Sequence, residues 1–535
     1  ALDEMVHRGL QITTRTETVA AGSAAVEALD GLLDVDGDLF VEAAHAVRPA
    51  LDLSVPEAWN AVSVPPGSGA GRGVFIGIVD SGIDLAHLSF RNPDGTTRVR
   101  RLWCQPAFAM PGGTVVPYGV AVDESEINHH LTTSIPIPSD WDDPSGHGTA
   151  VAGVAAGSGQ PYPGAPTYVG LAQEADLVVV AIEARRGAFA STANVIDGVR
   201  HAFEYAEERG QRAVVNISQG VQTGVHSPAG DLERALASLV AENDQRIVVV
   251  SAGNTAEADA HSSVQVPDGG SVDLPIDVPG QVGNFILVDL WYDRADRLAV
   301  ELADPTGSRS AVVEGNRRAS AGIGVDQYEI DGVPNVLFVA ASQLQVKLLG
   351  ANYRGDITPG RWTLTLHGRS MTSGRPVHGW LDQGMVRSPK FDSRVADPDC
   401  TVTGPATATG VFGVGSYLMG QGQRGLAGSS GRGPDRDDQA IELIAAPGDP
   451  ITTCAAAPTA TPFTTKRGTS VAAPHVTGAI ALMLEANPSL SRSQVIDCLA
   501  RTARCDADVA SGPVTGWGAG KLDVSAALAC ARGQP

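Results

Sequence analysis

Val74-Phe75-Ile76-Gly77-Ile78-Val79-Asp80-Ser81-Gly82 decides the fold of this chain. The first six residues carry no polar side chain and do not alternate with any. A strand of that kind must be covered on both faces, as in a parallel sheet between two layers of helices. Three further runs share the texture: Leu177-Val178-Val179-Val180-Ala181-Ile182, Ala213-Val214-Val215-Asn216-Ile217-Ser218 and Ile247-Val248-Val249-Val250-Ser251. Helical patterns lie between them at 194–208 and 230–242. Strand and helix alternation predicts a doubly wound α/β sheet. Ligand chemistry in such sheets gathers beyond the carboxyl ends of the strands, and Asp80 stands there.

Two other segments complete a constellation with Asp80. His147-Gly148-Thr149 precedes the small-residue run Ala150-Val151-Ala152-Gly153-Val154-Ala155-Ala156-Gly157. Gly468-Thr469-Ser470 precedes Val471-Ala472-Ala473-Pro474, with the proline in the first helical turn, where it is tolerated. A buried carboxylate can fix the tautomer of an imidazole and stabilise its cation. A histidine at a helix start, open to a cleft and near neutral pKa, suits a general base. The helix N-terminus at Ser470 favours negative charge developing near a nucleophile. Asn254, just past the 247–251 strand, offers an amide N–H to a tetrahedral oxyanion. Taken singly, Asp80 and Asn254 read equally well as turn residues, His147 as helix-capping structure and Ser470 as an N-cap. Their order and flanks point to covalent hydrolysis of an acyl bond. The pattern is not the GxSxG elbow of α/β-hydrolases, whose order is serine, acid, histidine.

The rest of the chain divides by texture. Residues 1–55 read as a small strand–helix–strand unit, marginal on its own. Within it Leu10-Gln11-Ile12-Thr13-Thr14 alternates, and Ser23 is placed to cap a helix bearing Ala24, Val26, Leu29 and Leu32. Leu39-Phe40-Val41-Glu42-Ala43 reads as a second strand, and 63–73 as a Pro/Gly/Ser linker. Residues 56–257 carry the α/β pattern. Residues 258–397 break it with short alternating runs such as Leu298-Ala299-Val300-Glu301-Leu302 and Trp362-Thr363-Leu364-Thr365-Leu366. That stretch predicts an inserted all-β sandwich or jelly roll. The α/β texture returns over 398–535 and ends in helices at 471–485 and 491–502.

Composition sets outer bounds. The chain has 535 residues, with 38 Lys+Arg against 60 Asp+Glu, a formal net charge of −22. Such an acidic surface is a poor partner for a phosphate backbone, so nucleic acid is not expected. No run of eighteen apolar residues occurs, so no membrane insertion is expected. The start Ala-Leu-Asp-Glu lacks a charged and apolar leader, so any signal peptide is expected to be gone or to lie outside this chain. Six cysteines without a CxxC pair argue against a thiolate zinc site. Cys498 reads as a core thiol on an amphipathic helix, with a bridge to the Cys505 and Cys530 region left open.

Together these segments resemble the subtilisin family of serine proteases. The acid motif matches Asp80-Ser81-Gly82-Ile83-Asp84, and the base motif His147-Gly148-Thr149-Ala150-Val151-Ala152-Gly153. The nucleophile motif matches Gly468-Thr469-Ser470-Val471-Ala472-Ala473-Pro474-His475-Val476-Thr477-Gly478, and the oxyanion asparagine maps onto Asn254. The insertion after Asn254 is similar to that of the spore-germination, Csp-like branch, which carries a jelly roll there. Phe90-Arg91-Asn92-Pro93-Asp94-Gly95-Thr96-Thr97-Arg98 also looks like that branch.

The resemblance implies a serine endopeptidase with Asp80, His147 and Ser470 as triad and Asn254 in the oxyanion hole, needing no cofactor for chemistry. It implies a protein or peptide substrate held as an added strand between Gly187 and Ser218–Gly220, with Ala252 and Gly253 lining the primary pocket. It also implies that residues 1–55 are a propeptide-like segment, a folding chaperone and inhibitor that is released or retained after self-cleavage. Structural calcium is a family habit. The acidic clusters Asp140/Asp142/Asp143 and Asp435/Asp437/Asp438 read as solvated loops, and no ligands are assigned. A secreted or cell-envelope location is expected, with the cytoplasm left open. Ala150 stands where the motif often has a second, non-catalytic histidine, and Gly431 interrupts a usual Ser-Ser-Arg-Gly-Pro string. Competing readings are a non-catalytic regulatory or binding protein on this scaffold, and a peptide ligase or macrocyclase using the same triad.

Overall fold

The computed structural model describes residues 11–15, 20–23 and 50–533, apart from 60–68, 107–115, 134, 163–166, 183–190, 334–335, 337–339, 352–353, 383–386, 420–424 and 458–460. The chain forms two compact units, 1–48 and 49–535. In the first, β1 (Gln11–Arg15) pairs antiparallel with β2 (Ala20–Ser23). Ser23 therefore ends a strand; the helix expected after it and the strand at 39–43 lie outside the described residues.

The second unit opens with α1 (Ala50–Ala58), which the sequence reading did not anticipate. Then follow β3 (Val74–Asp80), β4 (Val99–Cys104), β5 (Val120–Asp123), α2 (Glu124–Thr132), α3 (His147–Ala156) and β6 (Asp176–Ala181). After them come α4 (Thr192–Glu207), β7 (Arg212–Ile217), α5 (Asp231–Ala241) and β8 (Ile247–Ser251). The 63–73 linker is held at its far end, where the backbone N–H groups of Ala70 and Gly71 donate to Glu485 Oε2 at 2.7 and 2.6 Å.

After β8 come the strands β9 (His261–Val264), β10 (Ser271–Val278), β11 (Phe285–Asp293), β12 (Arg297–Ala303), β13 (Val313–Glu314) and β14 (Arg318–Ile323). β15 (Asp326–Val333), β16 (Ala341–Leu349), β17 (Gly360–Ser370), β18 (Val377–Leu381) and β19 (Lys390–Phe391) continue the run. They form two antiparallel sheets, ordered β13-β12-β17-β10-β19 and β14-β15-β16-β11-β18-β9. The alternating apolar residues of both, among them Leu274, Ile276, Val288, Leu290, Leu344 and Leu364, meet in one core. The inserted all-β architecture expected from the sequence is present.

The α/β part then resumes with β20 (Phe412–Leu418), β21 (Leu443–Asp449), the hairpin β22 (Ile451–Cys454) and β23 (Phe463–Lys466), α6 (Thr469–Ala486) and α7 (Arg492–Thr502). The main sheet has the order β21-β20-β8-β7-β3-β6-β4-β5. All its pairings are parallel except the antiparallel β4–β5 edge.

The unbroken apolar runs are explained by two cores. Ile76, Ile78, Leu177, Val179, Val214, Ile247 and Val249 point to the face covered by α3 and α6. Their neighbours Phe75, Val79, Val178, Val180, Val215, Val248 and Val250 point to the face covered by α4 and α5. Side chains alternate along a strand, so each strand must supply apolar residues at every position. Capping boxes start α4 (Ser191 with Asn194) and α7 (Ser491 with Gln494). Cys498 is not a free core thiol: it is disulfide-bonded to Cys530, and Cys505 is free and exposed. Among the described residues no helix is long and apolar enough to cross a membrane.

Candidate active site

β3 is flanked by β6 and β7, and the chain builds outward on both sides of it. The crevice of a doubly wound sheet opens at such a reversal. Asp80 ends β3, Ser218 follows β7, and Asn254 follows β8. The heads of α3 and α6 supply His147 and Ser470. All the chemistry-bearing residues thus leave neighbouring strand ends or helix starts.

Asp80 is fully buried. Its Oδ1 accepts from Ser81 N at 2.7 Å and lies 2.7 Å from His147 Nδ1; Gln219 Nε2 donates to the same oxygen at 3.3 Å. Oδ2 is buried without a hydrogen-bond partner. Burial alone would raise the Asp80 pKa, but the charge and hydrogen bond of His147, with Ser81 and Gln219, hold it below the ordinary carboxylate value. For His147, burial acts to lower the pKa, while the Asp80 carboxylate and its hydrogen bond raise it to a net value above 6.5. The imidazole is 28% exposed, so one edge remains reachable.

Two glycines make the approach of these elements feasible. A β-carbon on Gly148 would lie 2.2 Å from Gly82 O and 3.2 Å from Asp80 Cβ, so the head of α3 abuts the Asp80 loop only with glycine there. Gly468 has φ 119°, and a β-carbon on it would lie 2.7 Å from Asn254 Oδ1.

Asp143 corrects the reading of the first acidic cluster as a solvated loop. It is buried. Its Oδ1 accepts from Ser81 Oγ at 2.7 Å and Gly146 N at 2.9 Å, and its Oδ2 from Thr149 N at 2.8 Å and Thr149 Oγ1 at 2.7 Å. Ser81 Oγ in turn accepts from Gly148 N at 2.9 Å. One carboxylate therefore ties the loop after Asp80 to the helix that starts at His147. Asp435 in the second cluster is also buried, accepting from Asp437 N and Gln439 N at 2.9 and 2.7 Å. Both oxygens of Asp143 and Oδ1 of Asp435 are thus taken up by protein donors. Among the described residues no group of three or more His, Cys, Asp or Glu is arranged to hold a metal.

Ser470 is half-buried, and its Oγ donates to Ser218 O at 3.3 Å. Ser218 Oγ donates to Ser470 O at 2.8 Å and accepts from Asn216 Nδ2 at 2.9 Å. Ser218 thus grips the head of α6 from the end of β7. Its neighbour Gln219 touches Asp80, so the acid–base pair and Ser470 converge on two consecutive residues. Asn254 is exposed, and its Oδ1 accepts from Thr469 N at 2.8 Å and Thr469 Oγ1 at 3.2 Å. That anchoring leaves Nδ2 on the open side of the amide. Ala252 is buried, with its N–H donating to Val414 O and its carbonyl accepting from Thr403 N. Gly220 and Gly253 are at least partly open to solvent. Gly187 lies outside the described residues. From the sequence, Asp143 reads only as part of a solvated acidic cluster and Gln219 only as part of the substrate segment Ser218–Gly220, while Thr403 is not singled out. Asp143 had a usable signal, an aspartate just before a helix start; the others had none.

A covalent nucleophile candidate, an imidazole base and its carboxylate on a doubly wound sheet are the outline of a serine protease. Residues 71–341 and 394–520 match the model of the subtilase family, and the chain belongs to that family. Among solved structures, the CspB protease of Clostridium perfringens aligns with a TM-score of 0.76 at 25% identity, covering 90% of this chain and 99% of that one. The subtilisin-like protease PopC of Myxococcus xanthus (strain DK1622) is 27% identical over 238 residues, 41% of this chain and 43% of PopC. The match thus spans less than half of that relative's length.

Proposed function

We propose that Asp80, His147 and Ser470 form the catalytic triad of a serine endopeptidase. The observation that carries this reading is the 2.7 Å contact between the buried Asp80 carboxylate and His147 Nδ1, with Gln219 bonded to that carboxylate and the adjoining Ser218 bonded to Ser470 at the head of α6. The contact assigns Nδ1 as the protonated nitrogen and leaves Nε2 as the base. Ser470 Oγ turns from Ser218 O towards Nε2, gives up its proton and attacks the scissile carbonyl. Catalytic hydrogen bonds are commonly unformed before substrate binds. Asn254 Nδ2 and the Ser470 backbone N–H hold the oxyanion. His147 then protonates the leaving amine, and water hydrolyses the acyl-enzyme. The substrate lies as an extended strand along Ser218–Gly220, held mainly through its backbone.

The propeptide-like N-terminal segment, read from the sequence as residues 1 to about 55, acts in this reading as an inhibitor that is released or retained after self-cleavage; α1 (Ala50–Ala58) belongs to the second unit, so a cut falls before it. The Cys498–Cys530 bond accords with a secreted or envelope location, where disulfides persist. A serine-directed fluorophosphonate tests the nucleophile: it is expected to label Ser470 and not the Ser470→Ala variant. Folded protein freed of its N-terminal segment that stays unlabelled would sink the reading and leave a binding protein on a protease scaffold. Release of transpeptidated in place of hydrolysed product would indicate a ligase. N-terminal sequencing of wild type beside Ser470→Ala tests self-cleavage; identical termini would exclude it.

A further inference from the structure

Thr403 stands between the two glycines assigned above to substrate binding. A β-carbon placed on Gly220 would lie 2.5 Å from Thr403 Oγ1; one on Gly253 would lie 2.7 Å from Thr403 Cγ2 and 2.9 Å from Oγ1. The threonine side chain therefore fills the gap that the absent glycine side chains leave. Its position is set by backbone bonds. Thr403 N donates to Ala252 O at 3.0 Å, Val221 N to Gly404 O at 2.7 Å, and Gly431 N to Gly253 O at 2.9 Å. The segments that bear the two glycines and the 401–404 segment are thus bonded into one piece, and the threonine cannot withdraw without breaking it. Thr403 is 4% exposed, and its Oγ1 is buried with no hydrogen-bond partner. Buried hydroxyls are normally partnered, and an orphan is costly.

We propose that Thr403 is the floor of the primary specificity pocket and sets it for a short P1 side chain, alanine or serine, P1 being the residue whose carbonyl is attacked. The inference rests on the triad reading, because Gly253 adjoins Asn254 and Gly220 lies two residues beyond Ser218, which holds Ser470. Gly220, Ala252, Gly253 and Thr403 carry no charge, so nothing among them selects an ionic side chain. A leucine or phenylalanine at P1 meets Thr403 before it is buried. A serine hydroxyl at P1 gives Oγ1 the partner it lacks.

The test is a set of peptides identical except at P1, which is Ala, Ser, Leu or Phe. They are cleaved by wild type, Thr403→Gly and Thr403→Val, with active sites counted by fluorophosphonate labelling. Wild type is expected to show kcat/KM at least about tenfold higher for Ala and Ser than for Leu and Phe, since one misplaced methylene in a pocket is worth about 10–200-fold. Thr403→Gly should raise kcat/KM for Leu and Phe by at least about tenfold. Thr403→Ala, a milder opening, serves should the glycine variant not fold. Thr403→Val keeps the floor and should retain the preference for small residues while losing that for Ser over Ala. Equal cleavage of Phe and Ala by wild type, or an unchanged profile in the opened variant, overturns the proposal. Product peptides ending at each P1 are also bound to the wild-type protein and followed by fluorescence anisotropy. Should Ser470 go unlabelled, the triad reading fails, and the binding order still decides this one. Tighter binding of Ala than Phe supports the short pocket; equal or absent binding overturns it.

Discussion

Asp143→Asn tests whether the acid loop and the base helix are held by one buried carboxylate. The change preserves shape and exchanges one acceptor oxygen for an NH2 group. Oδ1 serves Ser81 Oγ and Gly146 N, and Oδ2 serves Thr149 N and Thr149 Oγ1. In either amide orientation one hydroxyl and one backbone N–H face the new NH2. The hydroxyl can turn and accept; Thr149 Oγ1 already accepts from Asp84 N at 2.9 Å and Ser81 Oγ from Gly148 N at 2.9 Å. The backbone N–H cannot turn. One orphaned buried donor costs about 1–3 kcal/mol, which is the expected loss of stability. The kinetic effect follows from position, because Ser81 adjoins Asp80 and Thr149 lies two residues beyond His147. A displacement of about 1 Å between reacting groups can cost about a hundredfold, so kcat should fall by roughly ten- to a hundredfold with little change in KM. Stability is measured by urea unfolding on a Ser470→Ala background, which removes self-digestion, and read from the midpoint at unchanged slope. Kinetics are measured on Asp143→Asn alone. A midpoint unchanged within about 0.5 kcal/mol together with full kcat would refute the reasoning, because a surface substitution does no more.

Asp80→Asn should lower kcat about 10⁴-fold and move the acid limb of the kcat/KM profile to lower pH, because the carboxylate that raises the His147 pKa is gone. An unmoved limb would show that the limb belongs to another group. The sign for stability follows from the same pair: the His147 contribution is complete below 6.5 and lost as pH rises through its raised folded pKa, and that of Asp80 is complete above 3.8 and lost as pH falls through its depressed one. The stability difference between wild type and Asp80→Asn should therefore be greatest between those values, as unfolding titrations at several pH values will show. Asn254→Ala should cut kcat by about 10²–10³, a figure known from subtilisin itself, while KM stays near its original value; a KM effect alone would make Asn254 a binding residue. Cys530→Ser opens a loop of sequence separation 32, and the chain-entropy model gives a loss of roughly 3–4 kcal/mol. Unchanged unfolding in the presence and absence of reductant would exclude a stabilising bond.

Much of this architecture is legible residue by residue. The run Val74–Val79 needs two covered faces, and it has them, because odd and even positions feed different cores. The helix start at Ser491 agrees with its capping box, whereas the helix expected at 194–208 begins two residues earlier, behind a capping box at Ser191. The alternating runs after Asn254 form two sheets because period-two patterning is local. Helix α1 escaped notice: it carries a proline within nine residues and has little periodicity. The acidic clusters were misread for a different reason. Consecutive aspartates look alike in sequence, yet Asp140 is exposed and Asp143 buried, and only their donors distinguish them.

The chemical parts of this protein are written in its sequence. Strand ends, helix starts and glycine positions are encoded by near neighbours, so the order Asp80, His147, Asn254, Ser470 already names a reaction. What the tertiary structure decided is how those parts are held. Asp143 bonds to Ser81, 62 positions away, and Gln219 reaches Asp80 across 139. Thr403 meets Gly220 and Gly253 only because the chain returns from the inserted sheets to the same crevice. Contacts of that range leave no period, motif or spacing in a single sequence; they exist only once the sheet has brought distant segments within hydrogen-bond reach.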